Sequence, residues 1–548
     1  MKVPTRLGAF AISISDTIEV FNNKGQKILT IEPPKATESL GINKPVLSAT
    51  VITLGEMWRR YYGNGTTVER TYTGTNRTIT LSVECTDFSV VVDFSVAYTQ
   101  DTEVEQEGVS IKLRYYQGLD YHSDAAITPL DYAGELGCYT DHGDYRQNFV
   151  FSDAGVKQYD SYQSRLNGKT YQARLEILKS DKIIPLKVLL QPNGREATLL
   201  FTNHADGENV NSTSAILYGT SDALSPDYGT KGLIGNSIFC TWSAFHETAP
   251  PHTGISTAEF LALMQAIKAA GFDVIPHRTR PGNTETRANA ESNLPAFNTN
   301  FASRDWIDHG LGAGARNIGL KSLGSVVGSG YYIMDLLETY GYKYCWAYID
   351  CAVDGLNQLK KHYAGFPDYL VYQNTNLALP ISGEPLWQWL SWRPPLRTLL
   401  DYLTTENVDA LISEFGCSII HEYLAIEVSG ATHAGYTYNS GTPYTITNNF
   451  ETMLNYLRDK QVAGNLWIAP MSDFGDYFRQ LLQVEVKTVG QGQYKITNNG
   501  AIVSGFSIAV PGVKSVTVDS VAVDKKVSGA NTVAWWNLKV GVSEVVCN

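Results

Sequence analysis

The sequence predicts a multidomain protein that combines an α/β region with all-β regions, and three changes of hydropathy pattern along the chain predict it. Residues 1–192 alternate apolar and polar side chains, as in Ile79, Leu81 and Val83 and again in Phe88, Val90, Val92 and Phe94. A period of two marks half-buried strands, so an N-terminal β-sandwich is expected. Over 193–482 apolar strands alternate with helical stretches, the signature of parallel β/α architecture, either a barrel or a doubly wound sheet. The period of two returns over 483–548, in VEVKTV, YKITNN and FSIAV, so a C-terminal β-sandwich is expected. A chain of 548 residues is too long for one hydrophobic core, in keeping with three domains.

The central elements follow in order. The first strand is ATLLFTNHAD (197–206) and the second SIFCTWSAF (237–245). A capping box, Ser256-Thr257-Ala258-Glu259, starts an amphipathic helix through Phe260, Met264 and Ile267 that Gly271 terminates. Strand three is FDVIPH, ending at His277, and strand four is RDWIDHG (304–310). A helix in YYIMDLLETYGY precedes the strand KYCWAYID (343–350). PPLRTLLDYLTTENVDALISEFG reads as one or two helices before the strand CSIIHEY (417–423). The helix NNFETMLNYLRDK and the strand NLWIAP close the set of six or seven β/α units.

Composition narrows the function classes. A formal charge of -12 and a sequence pI of about 5.4 argue against a nucleic-acid partner, because phosphate binding needs clustered Lys and Arg. No window reaches the run of about 18 apolar residues that a membrane-spanning helix needs. The opening MKVPTRLGAFAISISDTIEV lacks a basic segment followed by an apolar core and a small-residue cleavage site, so no signal peptide is expected. An extracellular or cell-surface location then implies either a signal already removed or another route, a virion tail being the alternative, with assembly into an oligomer or virion as the accompanying expectation. Seven cysteines, with Cys85, Cys240, Cys345 and Cys417 inside apolar runs, predict buried thiols and no disulfide framework. Tyr and Trp number 32 and 10, and the clusters Trp387, Trp389, Trp392 and Trp535, Trp536 are either platforms for sugar rings or core packing.

In β/α folds ligands and catalytic groups gather at the C-terminal ends of parallel strands, where loops vary without disturbing the core. That rule selects Asn203, His204, Asp206, His246, His277, Asp308, His309, Asp350, Asp354 and His421. The chain holds 10 histidines, and all but His122 and His142 lie from 204 to 433. Imidazole and carboxylate from several strand ends form a normal ligand set for Zn²⁺ or a similar divalent ion, which can polarise a carbonyl and supply hydroxide at neutral pH.

The order of these segments resembles the polysaccharide deacetylase (NodB-like) family. Phe201-Thr202-Asn203-His204-Ala205-Asp206-Gly207 is similar to the family's Thr-Phe-Asp-Asp-Gly-like turn, which implies a metal-ligand role for Asp206. Cys240-Thr241-Trp242-Ser243-Ala244-Phe245 occupies the place of its aromatic-rich second strand. Gly271-Phe272-Asp273-Val274-Ile275-Pro276-His277 resembles the second motif and makes His277 a ligand. Arg304-Asp305-Trp306-Ile307-Asp308-His309-Gly310 takes the place of the third motif, and Ile419-Ile420-His421-Glu422 that of the strand bearing a histidine acid. The resemblance covers residues 195–482 and implies a NodB-like (β/α) barrel. The family's His-x-x-x-His pair is absent, since Pro281 stands four residues beyond His277, and His309 replaces the missing ligand. Its general base is replaced by Asn203 or Ala205, which leaves that role to Asp308, His204 or a metal-bound hydroxide.

These readings together predict a metal-dependent hydrolase of polysaccharide or glycan. Asp206, His277 and His309 hold the divalent metal, Asp308, His421 and His204 transfer protons, and Asn203, Arg278, Trp306 and Asp350 bind substrate. Two other classes remain open. One is a glycoside hydrolase using paired carboxylates such as Asp308 with Asp350 or Asp354, and the other a non-catalytic glycan-binding or phage tail receptor-binding protein.

Overall fold

A computed structural model describes residues 186–548 except 283–284, 309–317, 321–322, 351–354, 359–369, 429 and 491, together with eight backbone strands between residues 12 and 178. For 347–350, 372–376 and 487–488 the backbone alone is described. The fold is mixed α/β: a curled sheet of parallel strands with helices between them, accompanied by several antiparallel sheets. Among the described residues no helix is long and apolar enough to cross a membrane.

Strand β1 (Ala197–Asn203) anchors the parallel sheet. All seven of its residues are buried, the pattern of a central parallel strand covered on both faces. It pairs in parallel with β7 (Cys417–Glu422) on one side. On the other, β8 (Leu466–Ile468) pairs with Ala197–Leu199 and β2 (Thr241–Ala244) with Thr202 and Asn203. From β2 the parallel pairing passes to β3 (Asp273–Pro276), and a single bridge from His277 to Ile307 continues it to β4 (Asp305–Trp306). Next come β5 (Tyr344–Asp350) and β6 (Pro385–Ser391), and a bridge from Trp392 to Ile420 leads back to β7. The strands therefore curl so that their C-terminal ends face one another.

Two local expectations are corrected. The helix expected from Ser256 is α2 of the order α1 (Val210–Tyr218), α2 (Ala258–Ala270) and α3 (Arg287–Phe301), and its N-cap is Thr257. Ser256 donates its amide to the His246 carbonyl at 2.8 Å, which ties it to the end of β2, while the Thr257 hydroxyl sits 2.7 Å from that of Thr248. Strand β6 was absent from the expected order because its Trp387 and Trp389 read equally well as a surface platform. Trp389 and Trp392 are fully buried and Trp387 is 7% exposed, so this cluster is core. Burying each such ring contributes about 2–3 kcal/mol.

In the N-terminal region strands Arg77–Cys85 and Ser89–Tyr98 pair antiparallel, and the register sets Ile79, Leu81 and Val83 opposite Val96, Phe94 and Val92. Side chains there lie outside the described residues. The C-terminal region forms two antiparallel sheets, one of them joined by Lys187–Val188, which pairs with Val503–Pro511. That short strand falls inside the span expected to belong to the N-terminal domain. Their apolar faces, including Ile496, Phe506 and Val545, share one buried cluster with Phe474 and Phe478 of the helix Met471–Leu481. Cys240, Cys345, Cys417 and Cys547 are buried free thiols.

Candidate functional site

The ends of β1, β3 and β7 bring three imidazoles together. His204 directly follows β1, His277 directly follows β3, and His421 is the fifth of the six residues of β7. All three are buried. The His204 ring stacks on that of His421 with centroids 3.6 Å apart and meets the edge of His277 at 5.1 Å. Trp346 of β5 walls this group, 4.7 Å from His204 and 4.8 Å from His421, and Tyr423 lies 5.0 Å from His421.

Asp206 completes the cluster from the turn after β1. Its Oδ2 lies 3.6 Å from His277 Nε2, and its side chain is 20% exposed where that of His277 is 2% exposed. The other nitrogen of His277, Nδ1, is 2.9 Å from Ser243 Oγ of β2. Both neighbours of Asp206 are fixed through their backbone amides. Ala205 donates to Ser243 Oγ at 3.1 Å and Gly207 to His252 Nδ1 at 2.9 Å.

Asn203 faces away from this group into a buried clamp. Its Oδ1 accepts from the Leu424 amide at 2.8 Å and its Nδ2 donates to Glu208. Glu208 is wholly buried, and burial pushes its carboxyl up to about 8 against the donors Asn203, Trp242 and Thr213, with Asp206 adding to the rise. The clamp ties β1 to β2, α1 and the chain beyond β7.

Arg278, Trp306 and Asp308, three more of the expected site residues, are buried beside further polar partners. Arg278 has a left-handed backbone, φ 50°, and is fully buried. Its Nη1 donates to the Gly282 carbonyl at 3.3 Å, and its Nε lies 4.0 Å from Glu285 Oε2. Burial pushes Glu285 up to about 7, opposed by Arg278 and by hydrogen bonds from Thr279. Trp306 is fully buried and donates its indole N–H to Asp308 Oδ1 at 2.6 Å, where the Leu320 amide also donates at 3.1 Å. The sequence pattern expects Arg278 and Trp306 to meet substrate, whereas the structure sets both beneath the surface as partners of carboxylates. His309 lies outside the described residues. Asp350 is the last residue of β5 and its Cα partner is Ser391, while its side chain lies outside the described residues.

Thus the structure brings His204, Asp206, His277 and His421 together and groups Arg278 and Asp308 with Glu285. Among the described residues no three His, Cys, Asp or Glu side chains form a metal-holding group. The chain matches no family model and no curated protein.

Chemically, the first group joins a partly exposed carboxylate to imidazoles whose ring nitrogens can donate or accept hydrogen bonds. Sequence reasoning missed Ser243, His252, Glu208 and Trp346. Ser243 carries a weak signal, a hydroxyl two residues before the end of an apolar run, and Trp346 lies in a recognised strand. Nothing local to His252 points to its bond with Gly207.

Proposed function

We propose that the chain is a metal-dependent hydrolase of a polysaccharide or cell-surface glycan, a deacetylase or carbohydrate esterase on a NodB-like (β/α) barrel flanked by two β-sandwiches. The observation that carries this reading is the 3.6 Å approach of Asp206 Oδ2 to His277 Nε2 at the strand ends. That separation is long for a hydrogen bond. Two donors sharing one tetrahedral Zn²⁺ at about 2.1 Å each lie about 3.4 Å apart, so the pair fits one edge of such a site. Ser243 fixes the far nitrogen of His277, as outer partners of metal-bound imidazoles do.

His309 is the assigned third donor, two residues beyond the Ile307 that bridges to His277. Asp206, His277 and His309 would hold the ion, and when bound it would supply hydroxide near neutral pH and polarisation of an acyl carbonyl. His421 delivers the proton that the leaving oxygen or nitrogen of the sugar requires, and His204 keeps its ring in place by stacking. Trp346 excludes water from one side, and the half-buried Tyr423 offers a flat face to a sugar ring. On this reading the protein works outside the cell, at its surface or on a virion tail.

The test is elemental analysis of the purified protein alongside acetate release from an acetylated glycan. A stoichiometric divalent metal that disappears in His277→Ala together with acetate release supports the reading. Full activity in excess chelator refutes it. New reducing ends without acetate would redirect attention to a glycosidase using Asp308.

A further inference from the structure

We infer that Ser243 is the positioning residue that holds Asp206 and His277 in register, and that it does so in either tautomer of His277. Ser243 is fully buried in β2, between the strand that leads to Asp206 and the strand that leads to His277. Its Oγ lies 3.1 Å from the Ala205 amide and 2.9 Å from His277 Nδ1. The amide can only donate, so it takes one lone pair of the hydroxyl and leaves a second lone pair and the proton. A bare Nδ1 then receives the Ser243 proton, with the imidazole N–H on Nε2 facing Asp206. A protonated Nδ1 instead donates to Oγ, and the Nε2 lone pair faces Asp206. A hydroxyl serves both arrangements, which a carboxylate, having no proton to give, cannot do.

The turn that carries Asp206 has little freedom to compensate. Gly207 sits at φ 67°, and a Cβ there would lie 2.4 Å from Val428 Cγ1. Its amide is held by His252. Removing the Ser243 hydroxyl would therefore release the Ala205 side of the turn and the His277 ring at once.

The functional consequence rests on the reading of Asp206 and His277 as metal ligands, while the tautomer control does not. The experiment uses the full chain, metal-free and then titrated with Zn²⁺ against a chelating dye. Ser243→Ala is compared with the isosteric pair Ser243→Thr and Ser243→Val, which carries the comparison if the alanine variant fails to fold. The ¹⁵N shifts of the His277 ring are read above the pH range where histidine protonates. In Ser243→Ala and Ser243→Val we expect the Nδ1 signal and the tautomer ratio to move and Zn²⁺ affinity to fall about 10–100-fold, with Ser243→Thr restoring both. Unchanged ring shifts, unchanged Zn²⁺ affinity in a protein that binds the ion, or a folded threonine variant that resembles the valine one would each overturn the inference. If the unaltered protein takes up no Zn²⁺ and releases no acetate, the hydrolase reading fails while the ring shifts still decide the role of Ser243.

Discussion

The two ends of the parallel sheet both carry titratable groups, yet they treat them differently. At the N-terminal ends Asp305 accepts from the Trp389 indole at 3.0 Å through each of its oxygens and from the Trp306 amide at 2.8 Å. Nearby, Arg304 pairs with Asp476 at 2.5 Å, and Asp476 also receives the Tyr344 hydroxyl. Those partners belong to strands and a helix, so the polar groups there are used in holding the sheet together. At the C-terminal ends the imidazoles face one another and Asp206 reaches the surface. The contrast teaches that burial alone does not distinguish the two ends; at one the polar groups pair within the sheet, and at the other a carboxylate stays partly exposed beside imidazoles.

The largest effect should come from the structural end. Trp389→Ala removes a fully buried ring and strips Asp305 of its indole donor, which should cost about 3–5 kcal/mol in denaturant-induced unfolding. At the other end, on the proposed hydrolase reading, His277→Ala should lower acetate release by at least about 100-fold while its unfolding midpoint shifts much less than that of Trp389→Ala. A stability loss in His277→Ala as large as in Trp389→Ala would erase the distinction between the two ends.

Gly207→Ala should cost about 1–2 kcal/mol, from its left-handed backbone and the contact with Val428, and should weaken activity by moving Asp206. Calorimetry and turnover measured on the same sample would check both parts.

The last effect is a slope. Burial pushes Asp305 and Glu208 each up to about 8 and Glu285 up to about 7. Their folded pKa values lie above the unfolded ones, so between about pH 4 and 8 the folded state holds protons that the unfolded state releases. Stability should therefore fall as pH rises through that window. Asp305→Asn should flatten the fall, read from unfolding curves at a series of pH values, and an unchanged slope would remove Asp305 from the explanation.

Much of the parallel sheet was legible because β1, β3, β5 and β7 are short apolar runs bounded by turns and helical segments. Strand β6 was not, since PLWQWLS is buried on both faces and carries no alternation to separate a strand from a cluster of aromatic side chains. The histidines were legible from the strand-end rule, which found His204, His277 and His421 without any knowledge of their contacts. What joins them was not. Ser243 and His277 are 34 residues apart, and His252 and Gly207 are 45 apart, so their bonds exist only after the strands have been laid side by side. The interior placement of Arg278 and Trp306 was hidden for a related reason: Glu285 looks in sequence like an ordinary loop residue, and Asp308 stood out as a strand-end carboxylate with nothing local to show that Trp306 donates to it.

The pairing of Lys187–Val188 with Val503–Pro511 fastens the chain entering the parallel sheet to the module that follows it. A fragment ended at residue 482 would lose that clasp and strip the apolar partners of Phe474 and Phe478. Such a fragment should aggregate rather than yield a smaller folded protein, and in the full chain the sheet and its C-terminal companion should melt as one cooperative unit.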